Sequence, residues 1–160
     1  TSIARGLGMS DTEIQGVKTA ALLHDIGKLA VPEHILSKPG PLTQEEFQKI
    51  RVHPQVGAEI ISAVPFPYPV APLILSHHER WDGKGYPQGL KGEEIPLGAR
   101  ILSVVDYYDA LTSDRPYHKA MTHEAALALL QQEAGRALDP AVVQMFVKMA
   151  AEMEIGRAHV

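Results

Sequence analysis

The chain has 160 residues, of which 45% are hydrophobic and 21% are charged, and its net charge is −4 with histidine neutral. This balance is typical of one globular domain. A mild acidic excess argues against a general DNA- or RNA-binding surface, because polyanion binding usually shows as a basic excess. The chain contains no cysteine, which excludes disulfides, cysteine-ligated zinc sites and a cysteine nucleophile. It also has no apolar run of about 18 residues, the length that a membrane helix needs.

The two ends of the chain differ from its middle. No signal peptide is visible, and Thr1 does not resemble a native start, because the first residues have the pattern of a helix end. We therefore expect a domain excised from a longer protein. Residues 154–160 lack a clear pattern, and we expect them to be a tail outside a domain that covers residues 1–153.

The dominant sequence period is helical, and no alternating strand pattern is present, so we predict an all-α compact helical bundle. Capping boxes that begin at Ser10 and Thr43 predict helices that end near residues 25 and 52. Pro54 suits the first turn of the next helix. Further helices are predicted over residues 73–76, 97–113, 122–134 and from 139, and loops over 30–42, 65–72 and 80–96. The last loop exceeds about 12–15 residues, a length that usually indicates a functional loop.

Apolar residues at helical spacing predict which faces of these helices are buried. The predicted stripes are Ile14, Val17, Ala21 and Leu22 in the first long helix, Val56, Ile60 and Ile61 in the third, and Ile101, Val104, Val105, Tyr108 and Leu111 in the helix over 97–113.

Histidine and aspartate stand at the ends of these apolar faces. His24 and Asp25 follow an apolar run, and burying an ionised aspartate there is costly unless a cation compensates. A helix terminus with a favourable histidine and a solvated aspartate is the alternative. His77 and His78 also follow an apolar helix, where one buried and one surface histidine is the alternative. His53 precedes Pro54 and could equally be a surface cap.

Asp106 completes this pattern. It follows two valines and is predicted to point inward, whereas Asp109 could face water. A hydrogen-bond acceptor inside a helix is the alternative. Taken together, four histidines and two aspartates predict a carboxylate–imidazole metal site suited to iron, manganese or zinc. They exceed what one tetrahedral ion needs, and a two-metal site would activate water for phosphodiester cleavage.

Three segments resemble a known family. Residues 24–28, HDIGK, resemble the signature of the HD superfamily of metal-dependent phosphohydrolases. Residues 77–87, HHERWDGKGYP, resemble the motif that defines its HD-GYP subfamily. Residues 106–117, DYYDALTSDRPY, are similar to that family's third signature. The segments stand in the family's order, and the resemblance extends to about residue 150.

The resemblance implies hydrolysis of cyclic di-GMP, a bacterial second messenger in signal transduction, to pGpG or GMP. It implies a helical core of the HD-domain type with two or three divalent transition metals, iron or manganese. Asp25 would bridge two metals, and the catalytic residues would be Asp25 and Lys28, with Lys28 near the scissile phosphate. An exposed lysine beside a helix end is the alternative for Lys28. The implied metal ligands are His24, Asp25, His53, His77, His78 and Asp106.

Residues that contact substrate are also implied. They are Lys28, Asp82, Tyr86, Arg115 and Lys119. Tyr86 could present its ring to a guanine or to the metal shell. Arg115 matches a phosphate-contacting arginine, since a guanidinium suits phosphate oxygens, although it could pair with Asp114. Asp82 could instead bond amides of its own loop.

Two features depart from the family pattern. HD domains carry a further histidine on an earlier helix, and that residue would precede Thr1, which puts full metal occupancy and the activity of this chain in doubt. His118, followed by Lys119, stands where the family often has a basic residue, and a histidine is only partly charged near neutral pH.

Three functions remain in competition. The first is a cyclic di-GMP phosphodiesterase. The second is a catalytically impaired cyclic dinucleotide sensor or an interaction module for partners such as diguanylate cyclase domains. The third is an HD phosphohydrolase that acts on another nucleotide. We expect a cytoplasmic domain whose parent protein could be membrane-anchored and carries a regulatory sensor or receiver domain.

Overall fold

A computed structural model describes residues 2–24, 26, 33–36, 38, 40–114 and 119–158. These residues form nine α-helices and no β-strand, which confirms the predicted all-α class. The helices are α1 (Ser2–Gly6), α2 (Asp11–Leu23), α3 (Glu33–Leu36), α4 (Gln44–Ile50), α5 (His53–Ser62), α6 (Ala71–Ser76), α7 (Leu97–Thr112), α8 (His123–Glu133) and α9 (Pro140–Ala158).

The helix starts follow the capping residues of the sequence. Ser10 and Thr43 accept hydrogen bonds from the backbone N–H groups three residues later. In α4 the Thr43 N–H donates a hydrogen bond to the Glu46 side chain, which completes a capping box. Thr122 caps α8 by accepting a hydrogen bond from the Ala125 N–H. Pro54 lies in the first turn of α5 as predicted.

The core lies where α2, α6 and α7 pack together. Ile74 of α6 and Val104 of α7 are fully buried. At Gly98 of α7 an added Cβ would lie 2.8 Å from the Leu73 side chain and 2.9 Å from Val17, so the absent side chain allows the helices to approach closely. This contact brings together α2, α6 and α7, which carry three of the candidate site residues: His24, His77 and Asp106.

Several local expectations were wrong. Residues 33–36 form the one-turn helix α3 inside the predicted loop. Four predicted core residues are exposed, because α2, α5 and α7 bury a narrower face than their apolar sequence indicates: Ala21, Leu22, Ile60 and Val105. Ala20 takes the buried position next to Ala21. The end of the first long helix, predicted at Asp25 and Gly27, lies partly outside the described residues; α2 itself ends at Leu23.

Across the described ranges, every helix is too short or too polar to cross a bilayer. Residues 80–96 are a loop, as predicted, apart from a 3-10 turn at Gly92–Glu94.

Candidate metal centre

Three histidines at helix ends share one orientation. His24 lies at the C-terminus of α2, His53 begins α5, and His77 lies at the C-terminus of α6. In each ring Nδ1 lies 2.6–2.8 Å from the carbonyl oxygen three residues earlier. A carbonyl can only accept, so each Nδ1 carries the proton, and in the neutral ring Nε2 keeps its lone pair. Backbone geometry therefore prepares three imidazoles as ligands, as metal-binding histidines require.

These nitrogens converge with His78. One ring nitrogen from each of His53, His77 and His78 lies within 4.8 Å of the others. His53 Nε2 and His78 Nε2 are 3.1 Å apart. Because His53 Nδ1 carries the proton, His53 Nε2 is an acceptor that can take a hydrogen bond from His78 Nε2, and a cation bound by both nitrogens would replace that proton.

His77 provides a direct test of whether a metal fits. Its Nε2 atom is buried and has no hydrogen-bond partner among the described residues. Burial lowers the pKa of His77 to about 4, and the neighbouring His24 and His53 act in the same direction. A neutral, buried, unpaired Nε2 is costly by itself but is the state that binds a metal ion.

Asp106 of α7 lies beside His24. Its Oδ1 is 3.3 Å from His24 Nε2. Burial acts to raise the pKa of Asp106, but the hydrogen bond to His24 and the nearby His24, His78 and His77 outweigh it, so the pKa lies below its usual value. The ionised carboxylate provides an oxygen beside the imidazole nitrogens. Asp109, as expected, is exposed.

The structure thus brings together five of the six predicted metal ligands: His24, His53, His77, His78 and Asp106. The sixth, Asp25, lies outside the described residues, as do Lys28, Arg115 and His118. Lys119 is exposed and lies in the non-helical segment before α8.

The loop after His78 is held close to the histidines by Glu79, a residue that sequence reasoning did not select. The Glu79 side chain is buried, and its two carboxylate oxygens accept hydrogen bonds from the N–H groups of Gln88 and Leu90 at 2.7 and 2.9 Å. The available signal was its position directly after the two histidines. Glu79 thereby fixes the loop segment that carries Tyr86.

Gly85 permits the close approach of that segment. A Cβ at this position would lie 2.5 Å from both Arg80 N and His78 O and 2.7 Å from Glu79 Cα. Backbone atoms cannot move aside as a flexible side chain can, so only glycine fits here. The following residue, Tyr86, donates its N–H to His78 O at 3.3 Å.

The start of the loop is fixed to the rest of the domain. Trp81 and Asp82 donate their N–H groups to the carbonyls of Ala137 and Arg136, in the connection between α8 and α9. The Asp82 carboxylate pairs with Arg80 at 2.9 Å and accepts the Lys84 N–H at 3.0 Å. The alternative for Asp82, a role within its own loop, is thus the one for which the structure supplies contacts.

Tyr86 lies between the histidines and helix α4. Its ring stacks on His78, with centroids 5.1 Å apart and 18° between the planes. Burial raises the pKa of Tyr86 to about 12, although the nearby Arg51 acts to lower it. The hydroxyl therefore stays protonated at neutral pH. Phe47 and Arg51 of the α4 region contact the same ring, and neither was predicted, because no motif marks that stretch.

Comparison with known proteins agrees with this arrangement. Residues 1–142 match the HD domain family. A cyclic di-GMP phosphodiesterase response regulator of Xanthomonas campestris is 46% identical over 95% of this chain and 41% of its own length. A 3'3'-cGAMP-specific phosphodiesterase of Vibrio cholerae is 41% identical over 86% of this chain and 30% of its own length.

Comparison with solved structures supports the helical fold. The solved structure of an HDG"Y"P protein from Bdellovibrio bacteriovorus aligns with a TM-score of 0.73 at 23% identity, over 94% of this chain and 48% of that one. The chain belongs to the HD domain family. The resemblance of its motifs to the HD superfamily is confirmed by the family match. The family is metal-dependent, and this HD domain contains a histidine cluster that suits a metal. The chain spans less than half the length of the relatives it matches.

Proposed function

We propose that this HD domain is a metal-dependent phosphodiesterase that hydrolyses cyclic di-GMP to pGpG or GMP. The observation that carries the proposal is the convergence of four imidazoles, three of which (His24, His53 and His77) have Nδ1 bonded to a backbone carbonyl, with the buried Nε2 of His77 unpaired among the described residues. The names of the relatives support a cyclic dinucleotide as the substrate.

The predicted metals are two or three divalent transition ions, iron or manganese. Nitrogen and carboxylate donors without thiolate agree with that choice. The described residues that would hold them are His24, His53, His77, His78 and Asp106, and Asp25 is proposed as the bridging ligand. When bound, the ions supply the chemistry of water activation and phosphoryl polarisation.

The residues of the chain contribute positioning. The backbone carbonyls keep Nδ1 of His24, His53 and His77 protonated, so Nε2 of these rings stays available at neutral pH. Glu79 and Gly85 hold the Tyr86 ring against His78, which covers one side of the centre. Lys28, Arg115 and Lys119 are proposed to contact phosphate with their positive charges. Asp82 is also proposed as a substrate contact, at the start of the loop that carries Tyr86.

A turnover assay tests the proposal. We expect the chain, purified without oxygen and supplied with iron or manganese, to linearise cyclic di-GMP and to contain about two metal ions per chain. Asp25→Ala should abolish both metal binding and turnover. Absence of metal under these conditions would contradict the enzyme hypothesis, and bound metal without turnover of any cyclic dinucleotide would favour the sensor.

A longer polypeptide that includes a helix before Thr1 tests whether a further histidine belongs to the metal site. If the histidine that the family carries on an earlier helix completes the site, the longer polypeptide should bind metal more tightly and turn over faster than this chain. Equal activity would show that the ligands within residues 1–160 suffice.

The Vibrio cholerae relative favours one second candidate. Its name assigns it to 3'3'-cGAMP, and it is 41% identical to this chain. A direct competition between cyclic di-GMP and 3'3'-cGAMP separates the two substrates.

We propose that the domain acts in the cytoplasm, and that diguanylate cyclase domains and a regulatory sensor or receiver domain are its partners.

A further inference from the structure

A short connection places a second group of side chains beside the candidate metal centre. Helix α4 ends at Ile50 and α5 begins at His53. The Arg51 N–H caps α4 by donating to Phe47 O at 3.0 Å, and His53 Nδ1 lies 2.7 Å from Ile50 O. The same junction therefore fixes a metal-ligand candidate and, two residues earlier, an arginine.

Arg51 and Phe47 surround the ring of Tyr86. The Arg51 guanidinium carbon lies 5.0 Å from the centre of the Tyr86 ring and 5.8 Å from the centre of the Phe47 ring. Phe47 meets Tyr86 edge to face, with centroids 6.2 Å apart and 85° between the planes. Tyr86 in turn stacks on His78. These contacts form a continuous path from the histidines to an aromatic and cationic surface, here called the α4 rim (Phe47, Arg51 and Tyr86).

The α4 rim is open to a ligand. Phe47 is 43% exposed, although it is a large apolar residue, and Arg51 is exposed. Within the described residues no carboxylate forms an ion pair with Arg51. The Arg51 guanidinium lies near the two aromatic rings, and its N–H groups can donate hydrogen bonds to a ligand.

The chemistry of the α4 rim suits a nucleobase. Aromatic rings and guanidinium planes are the usual surfaces on which unpaired bases stack. The arginine fork matches the O6 and N7 acceptors of guanine, whereas adenine offers a donor in place of O6. A phosphate group has no aromatic face and could not stack on the Phe47 or Tyr86 ring.

We infer that the α4 rim is the guanine-binding part of the substrate site, with the base stacked on Phe47 and its O6/N7 edge bound by Arg51. This inference rests on the proposed function, since it assigns the base specificity of the same site. It makes Phe47 and Arg51 specificity residues and leaves the metal centre unchanged.

Steady-state kinetics of Arg51→Ala and Phe47→Ala, with metal supplied, test the inference. Each variant should raise KM for cyclic di-GMP about tenfold, as expected for one lost base contact. The kcat and the metal content should stay within about twofold of the parent chain, because neither residue is a metal ligand candidate. Arg51→Lys should not restore KM, since lysine lacks the fork. Lys49→Ala, which removes a positive charge from an exposed position of α4, is the matched control and should leave KM unchanged.

Cyclic di-AMP as a competitive inhibitor separates base from phosphate recognition, because it has the same phosphates and no guanine. We expect Arg51→Ala to leave its inhibition constant within about twofold, so the preference for guanine over adenine falls about tenfold. Equal losses for both dinucleotides would overturn the guanine assignment, as would an unchanged KM in both alanine variants. Failure of the parent chain to turn over cyclic di-GMP would instead remove the proposed function, and the inference with it.

Discussion

The candidate metal centre and the α4 rim are adjacent but are built in different ways. In the metal centre, His53 and His77 are 1% and 2% exposed, and backbone carbonyls determine which ring nitrogen carries the proton. In the α4 rim, Phe47 is 43% exposed, and Phe47 and Arg51 contact the Tyr86 ring. Under the proposed function, this difference places the reaction chemistry in the buried interior and base selection on the exposed side chains of Phe47 and Arg51, with Tyr86 joining the two regions.

The largest expected effect comes from a change inside the metal centre. His53→Ala removes an Nε2 atom from the cluster and leaves a buried space, so metal affinity and turnover should both fall by about 100-fold or more. Metal content by elemental analysis and turnover of cyclic di-GMP measure the change. His34→Ala is the matched control, because His34 is exposed. If His53→Ala retained metal and activity, the centre would not be where the histidines converge.

A smaller effect is expected at the boundary between the two regions. Gly85→Ala places a Cβ 2.5 Å from backbone atoms of His78 and Arg80. The loop must shift, which should lower the free energy of unfolding by about 1–3 kcal/mol and reduce turnover by displacing Tyr86 from His78.

Urea denaturation and the turnover assay report these two consequences of Gly85→Ala separately. Gly40→Ala is the control, since its Cβ would meet nothing within 4 Å. Unchanged stability and activity in Gly85→Ala would show that the loop is not held tightly against the histidines.

The smallest effect concerns the start of helix α4, which carries the rim. Glu46 accepts hydrogen bonds from Lys38 and from the Thr43 N–H, and these lower its pKa to about 2. A folded-state pKa below the unfolded value contributes stability that is present above about pH 4.5 and is lost as pH falls toward 2.

Glu46→Gln should therefore be less stable than the parent chain at pH 6, and the difference in urea midpoint should shrink as the pH approaches 3. A difference that stays constant or grows on acidification would contradict this assignment. Glu45→Gln, at an exposed position in the same turn, is the control.

Local sequence signals predicted much of the fold. Ser10, Thr43 and Thr122 cap the helices that they were expected to begin, because a cap depends on residues only three positions apart. The predicted burial of Leu22 and Val105 was wrong. Periodicity locates an apolar face but not how much of it a neighbouring helix covers, and that depends on tertiary packing.

The candidate site divides in the same manner. The apolar runs before His24 and His77 indicated inward-facing side chains, and the structure places these residues together with His53 and Asp106. The hydrogen bonds that Glu79 accepts from the loop and the contact of Arg51 with Tyr86 could not be predicted. They depend on side-chain geometry that no local sequence pattern specifies. Asp25, Lys28 and Arg115 remain predictions from their motifs.

The central claim is that metal held by the histidine cluster enables hydrolysis of the cyclic dinucleotide. The most direct test is to remove metal from the chain with a chelator, add manganese or iron in increments, and measure bound metal and cyclic di-GMP turnover in each sample. We predict that turnover is absent without metal, rises with occupancy to a plateau at about two ions per chain, and stays absent in His53→Ala at the same metal concentrations. Turnover by the metal-free chain, or full occupancy without turnover, would contradict the claim.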